Sequence, residues 1–181
     1  MPVSRALLWS ALLAFALAGE CVADGVSREQ LLDFSLPGLR DDASVQLARY
    51  RGRIVYVDVW ASWCAPCLRS MPELQSLRDK FRGQPFEVVA VNVDSEVATA
   101  RSFLERVGVH YPVAFDRDGR QLHARLPAEP GLAALPVGFL LDGRGTIRLV
   151  HRGYSSGQSA FLAEHVETLL AELRVESDSR R

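Results

Sequence analysis

Ile54, Val55, Tyr56, Val57 and Val59 place apolar side chains on both alternations of a strand running from Arg53 to Trp60. A strand apolar on both faces belongs inside a sheet that is covered on both sides. Ala65 to Phe81 switches to helical spacing. Leu68, Met71, Leu74, Leu77 and Phe81 form one stripe, Arg69, Glu73, Ser76 and Lys80 fall mostly elsewhere, and Gly83 and Pro85 stop the helix. Phe86 to Val93 predicts a second doubly buried strand, and Val97 to Val107 a helix closed by Gly108. Tyr111 to Phe115 reads as a strand, Asp116 to Gly119 as a turn, and Gln121 to Leu126 as a short helix. Val137 to Leu141 and Thr146 to Val150 flank Asp142-Gly143-Arg144-Gly145, a strong hairpin signal. Phe161, Leu162, Val166, Leu169, Leu170 and Leu173 stripe a final helix. Ahead of all this, Phe34 to Gly38 predicts a short strand, with a turn at Asp41-Asp42, another strand, and a turn at Tyr50-Arg51-Gly52.

Strands that alternate with helices pair in parallel, and a late hairpin adds antiparallel partners. The predicted fold class is therefore α/β: a mixed central sheet with helices on both faces and an N-terminal β-hairpin extension. One domain is expected over residues 33–174, with a flexible lead-in over 19–32 and a charged, disordered tail over 175–181.

The N-terminus follows another pattern. Arg5 is followed by an apolar run from Ala6 to Ala18 that ends in small residues at Ala16-Leu17-Ala18. This is the layout of a secretory signal peptide over residues 1–18, with cleavage after Ala23 as the second option. The run is shorter than the roughly 20 apolar residues of a membrane-spanning helix, so an uncleaved anchor is the weaker alternative. Glu20 stands before Cys21, where lipoprotein signals place a small residue. The expected location is the periplasm.

With 181 residues and a net charge of −1, the chain carries no global basic field for nucleic acid or anionic lipid. A monomer is expected.

The three cysteines narrow the chemistry. In an exported protein they pair or work. Cys64 and Cys67, two residues apart at a strand-to-helix junction, lie within bonding reach across one helical turn, and Cys21 is left over. At the helix start, free backbone N–H groups and the dipole favour a thiolate on Cys64. A fall in its pKa from ~8.5 to ~7 corresponds to roughly 2 kcal/mol. Cys64 is thus the expected attacking thiol, and Cys67, one turn in, the resolving one. Ala65 adds no polar group, and Pro66 removes one N–H that a thiolate would otherwise use. That weakens thiolate stabilisation and favours a reductant. Half of a zinc site is the rival reading, but His110, His123, His151 and His165 are scattered and no second ligand cluster stands near. No metal is expected.

Asp58 interrupts the apolar strand six positions before Cys64. A buried carboxylate has a raised pKa, which suits a group that takes the Cys67 proton. The alternative is a carboxylate bonded to a neighbouring donor such as a backbone N–H.

Val59-Trp60-Ala61-Ser62-Trp63-Cys64-Ala65-Pro66-Cys67, followed by Pro72, resembles the thioredoxin superfamily, and within it the TlpA/ResA-like exported thiol–disulfide oxidoreductases. Phe34-Ser35-Leu36-Pro37 with Tyr50-Arg51-Gly52, Val88 to Val93, and Leu135-Pro136 before Phe139 to Gly143 extend the resemblance over about Phe34 to Leu173. It implies a thioredoxin fold, disulfide exchange, no bound cofactor, and a cis peptide before Pro136. That bond would set the Leu135 backbone beside the sulfurs, ready to pair with an extended substrate. Trp63, Pro66, Leu135 and Val137 form the expected substrate-binding rim. Together with Cys64, Cys67 and Asp58, Pro136 completes the expected catalytic set. The chain departs from its relatives at three places. Asp58 replaces a frequent Asn, Ser70 a Glu found in some, and Val137 a usual Thr, which makes a more apolar lip.

The expected function is reduction of disulfide-bearing proteins outside the cytoplasm, of the type serving cytochrome c maturation or metal-site cysteines. A membrane-embedded thiol donor would supply the electrons. An oxidase or isomerase on the same fold, or a non-enzymatic metal-binding chaperone, are the alternatives.

Overall fold

The computed structural model describes residues 31–41, 43–126 and 134–179. The expected signal peptide, Cys21 and most of the 126–135 loop lie outside the described residues. Among the described residues, seven strands form two sheets. Strands β1 (Ser35–Pro37) and β2 (Ser44–Gln46) pair as an antiparallel hairpin. The main sheet has the order β5 (Val113–Phe115), β4 (Phe86–Asn92), β3 (Ile54–Trp60), β6 (Val137–Leu141), β7 (Ile147–Arg152). Strands β3, β4 and β5 run parallel, while β6 and β7 join β3 antiparallel. This is the mixed sheet that the sequence predicts.

Every residue of β3 is buried. Its alternation divides the interior in two. Val55, Val57 and Val59 face a core closed by Phe34, Leu36, Leu47, Leu122 and Phe139, and so by the hairpin and the one-turn helix α3 (Arg120–His123). Ile54, Tyr56 and Trp60 face the other core, built with α1 (Ala65–Lys80), α2 (Val97–Val107) and α4 (Gln158–Asp178). Helices occupy both faces, but unequally: the three long ones share one face, where Trp60 stacks on Phe103 of α2 at 5.1 Å.

Three boundaries differ from expectation. Helix α4 runs to Asp178 rather than dissolving into a tail at Val175, because Ala-Glu-Leu-Arg-Val-Glu-Ser contains no glycine or proline to stop it. The end of the lead-in is docked: the Leu32 amide donates to Gly145 O at 3.0 Å and its side chain is fully buried. An apolar side chain that completes a core outweighs the polar character of its neighbours. Helix α3 is a single turn, started by Asp116, whose carboxylate accepts from the amides of Gln121 and Leu122.

Candidate active site

Strand β3 ends at Trp60, and four residues later Cys64 caps α1. Cys64 is the N-cap residue in extended conformation, and its Sγ accepts from the Cys67 amide at 3.3 Å. The sulfur thus takes the place that a serine or aspartate oxygen holds at other helix starts. Pro66 lies in the first turn, where a missing N–H costs nothing. The two sulfurs are bonded at 2.06 Å, with the Cα atoms 5.3 Å apart. Cys64 retains a little exposure, and Cys67 has none. The outer sulfur is therefore the one a partner can reach.

The loop that presents Cys64 is tied down by Asp94, a residue that motif reading passed over. Its carboxylate accepts from the Ser62 amide at 3.1 and 3.2 Å, from the Ser62 hydroxyl at 3.1 Å, and from Asn92 Nδ2 at 2.9 Å. Asp94 follows β4 in Asn92-Val93-Asp94, and a carboxylate just past the end of a buried strand is the signal that was available.

Trp63 is 71% exposed beside the pair, and Leu68 is also exposed one turn into α1. Trp60 is core. The Leu135–Pro136 peptide is cis, Pro136 is buried and Leu135 half-buried. Val137 departs from expectation. Its side chain is not part of a lip: it is buried in the hairpin-side core, because strand alternation at its pairing with Val59 turns it inward. Ser70 is buried, its hydroxyl donating to Cys67 O at 3.1 Å, so it contributes to packing of the helix where some relatives carry an acid.

Asp58 is fully buried on the same sheet face as Tyr56 and Trp60, the face that packs against Cys67 and Met71 of α1. Its Oδ2 has no hydrogen-bond partner among the described residues. Burial pushes its carboxyl up to about 7. The alternative of a carboxylate bonded to a backbone donor is not what Oδ2 displays. Among the described residues, no three His, Cys, Asp or Glu side chains converge as metal ligands.

A mixed sheet, an apolar strand running into Cys-Ala-Pro-Cys at a helix start, and a sulfur–sulfur bond with one accessible end define a thiol–disulfide oxidoreductase of the thioredoxin fold. The model of the Redoxin family matches residues 27–166, and the chain belongs to that family. It is 31% identical over 137 residues to the thiol-disulfide oxidoreductase ResA of Geobacillus thermodenitrificans, spanning 76% of this chain and 74% of that one. ResA of Halalkalibacterium halodurans is 30% identical over 125 residues, 69% of this chain and 68% of its own. Among solved structures, a Chlorobium tepidum protein assigned as thiol:disulfide interchange protein DsbE superposes with a TM-score of 0.69 at 33% identity, over 78% of this chain and 96% of that one. A DsbF homologue from Corynebacterium diphtheriae gives 0.66 at 29% identity, over 78% and 88%. Among the described residues, no helix is long and apolar enough to cross a membrane.

Proposed function

We propose that this oxidoreductase works as a reductant of protein disulfides in the periplasm, recharged by a membrane-embedded thiol donor and acting as a monomer. The observation that carries the reading is the Cys64 sulfur at a helix start, receiving one amide hydrogen bond from Cys67 where Pro66 withholds another. One donor stabilises a thiolate only modestly, which leaves the dithiol willing to give up electrons. In the proposed cycle the Cys64 thiolate attacks a substrate disulfide, forming a mixed disulfide and freeing one substrate thiolate. Asp58 takes the Cys67 proton. The Cys67 sulfur then attacks Cys64 Sγ, closing the Cys64–Cys67 bond and releasing the second substrate thiolate. Two electrons pass from the dithiol to the substrate.

Leu135, set by the cis bond before Pro136, is proposed to pair its backbone with an extended substrate. Trp63 and Pro66 supply apolar contact around the sulfurs. The periplasmic assignment rests on the signal-like N-terminus.

Equilibration with glutathione tests the direction. The expected reduction potential lies near the −270 mV typical of thioredoxin, and a value near about −120 mV would make the protein an oxidant instead.

A further inference from the structure

Asp58, Gly138 and His151 form one lateral row across β3, β6 and β7: Asp58 pairs with Gly138, and Gly138 with His151. Directly paired residues point to the same side of a sheet, so Asp58 and His151 face the same core with a residue lacking a side chain between them. That space is filled from elsewhere. A Cβ on Gly138 would collide with the hydroxyl and ring of Tyr56, which reaches diagonally from its own row into this one. The hydroxyl then meets His151 Nδ1 at 3.2 Å. Opposed Cβ atoms stand about 4.5–5.5 Å apart, so a hydroxyl at the side-chain position of Gly138 lies about one strand spacing from Asp58 Cβ, near enough for the Asp58 charge to act on it, while Oδ2 of the carboxylate has no hydrogen-bond partner of its own among the described residues. Asp58 is sealed from solvent, whereas His151 is half-buried at the sheet margin.

From this row we propose that Tyr56 and His151 are positioning residues that carry the Asp58 proton to and from solvent. The inference rests on the reading of Asp58 as the proton acceptor for Cys67. The transfer balances without a further reactant. The Asp58 carboxyl proton passes to the Tyr56 oxygen as the Tyr56 proton passes to His151 Nδ1. The imidazolium so formed releases its Nε2 proton to water, leaving Asp58 ionised and Tyr56 unchanged. A hydroxyl carries one proton and so serves one neighbour at a time, which couples the two titrations.

The environment suits this traffic. Burial, followed by the Asp58 charge, holds the Tyr56 phenol well above its ordinary value, so it relays protons without ionising. Burial lowers the His151 imidazole toward the range where it releases a proton readily. Besides Cys67, Tyr111 lies near Asp58 on this face, and it too is held neutral, first by burial and then by the Asp58 charge. From α4, Phe161 covers His151 at 6.0 Å, with His165 stacked behind it at 4.4 Å. From α1, Glu73 is engaged by the Tyr154 hydroxyl at 2.7 Å.

Rapid-mixing kinetics of mixed-disulfide resolution across pH 5–9 test the proposal, using Tyr56→Phe, His151→Gln, their double variant and Asp58→Asn. Tyr56→Phe keeps the ring that fills the space over Gly138, and His151→Gln keeps a side chain able to bond Tyr56 but not to titrate. Each is expected to slow resolution about tenfold, a part of the roughly 10²–10⁴ that a placed acid or base supplies. The double variant is expected to be no slower than either single one, while alkylation of Cys64 keeps its wild-type rate. If Asp58→Asn slows resolution but Tyr56→Phe and His151→Gln do not, the relay is wrong and Asp58 keeps its role. If Asp58→Asn also leaves the rate intact, the reading of Asp58 fails first. A proton NMR titration gives an independent readout. The His151 Cε1 signal is expected to show a second inflection at the Asp58 pKa that vanishes in Tyr56→Phe, and its persistence there would overturn the coupling.

Discussion

Exchanging Cys64 for serine is expected to abolish disulfide reduction, lowering turnover by at least about 10³-fold in a dithiothreitol-driven insulin reduction assay. The reason lies in the asymmetry of the pair. Cys64 caps α1 and keeps some exposure, whereas Cys67 is wholly enclosed by the core. With Cys64 gone, no accessible sulfur remains at the helix start. Cys67→Ser is expected to differ in kind. It leaves the attack intact and removes the release, so partners accumulate as mixed disulfides on Cys64 that mass spectrometry can identify. Equal activity in Cys64→Ser and wild type would remove the basis of the mechanism.

The second large effect concerns Asp58, and it joins stability to catalysis. In an unfolded chain its carboxyl titrates near 3.8, and in the folded protein near 7. Between those values the folded state holds a proton that the unfolded chain has shed. Stability from this group is therefore complete below about pH 4 and declines as pH rises through 7. About three pKa units at 1.36 kcal/mol each give a loss of about 4 kcal/mol by pH 8. Asp58→Asn is expected to abolish most of that decline, so the variant is the more stable protein at pH 8 by urea denaturation. The same change is expected to slow mixed-disulfide resolution by about 10²-fold, because the carboxylate that accepts the Cys67 proton is gone. A variant both more stable and slower is the signature of a charge kept buried for its chemistry. A variant that is less stable at pH 8, with resolution unchanged, would point to an ordinary structural carboxylate.

Residues that announce themselves by periodicity were legible in the sequence. The apolar run from Ile54 to Val59 gave the central strand, and the acid within it gave Asp58. The Cys64–Cys67 spacing at a strand-to-helix junction gave the site. Residues whose role depends on lateral register were not. Val137 reads as a lip residue next to Pro136, yet its pairing with Val59 turns it into the core. Tyr56 reads as one more apolar strand position. Only the alignment of Asp58, Gly138 and His151 across three strands shows why its hydroxyl matters. Asp94 holds Ser62 from 32 positions away along the chain, a partnership that no local pattern encodes. The course of α4 past Val175 follows from an absence of stop signals, which weighs less in a sequence than the charges that suggested fraying.

All of this chemistry depends on a helix start that ionises one particular sulfur, Cys64 Sγ. Pulsed alkylation of the reduced protein with iodoacetamide, from pH 5 to 10 with peptide mapping, reads that ionisation site by site. The label is expected on Cys64, with a midpoint clearly below the ~8.5 of a free thiol, while Cys67 stays protected. Labelling led by Cys67, or a Cys64 midpoint at or above that of a free thiol, would contradict it.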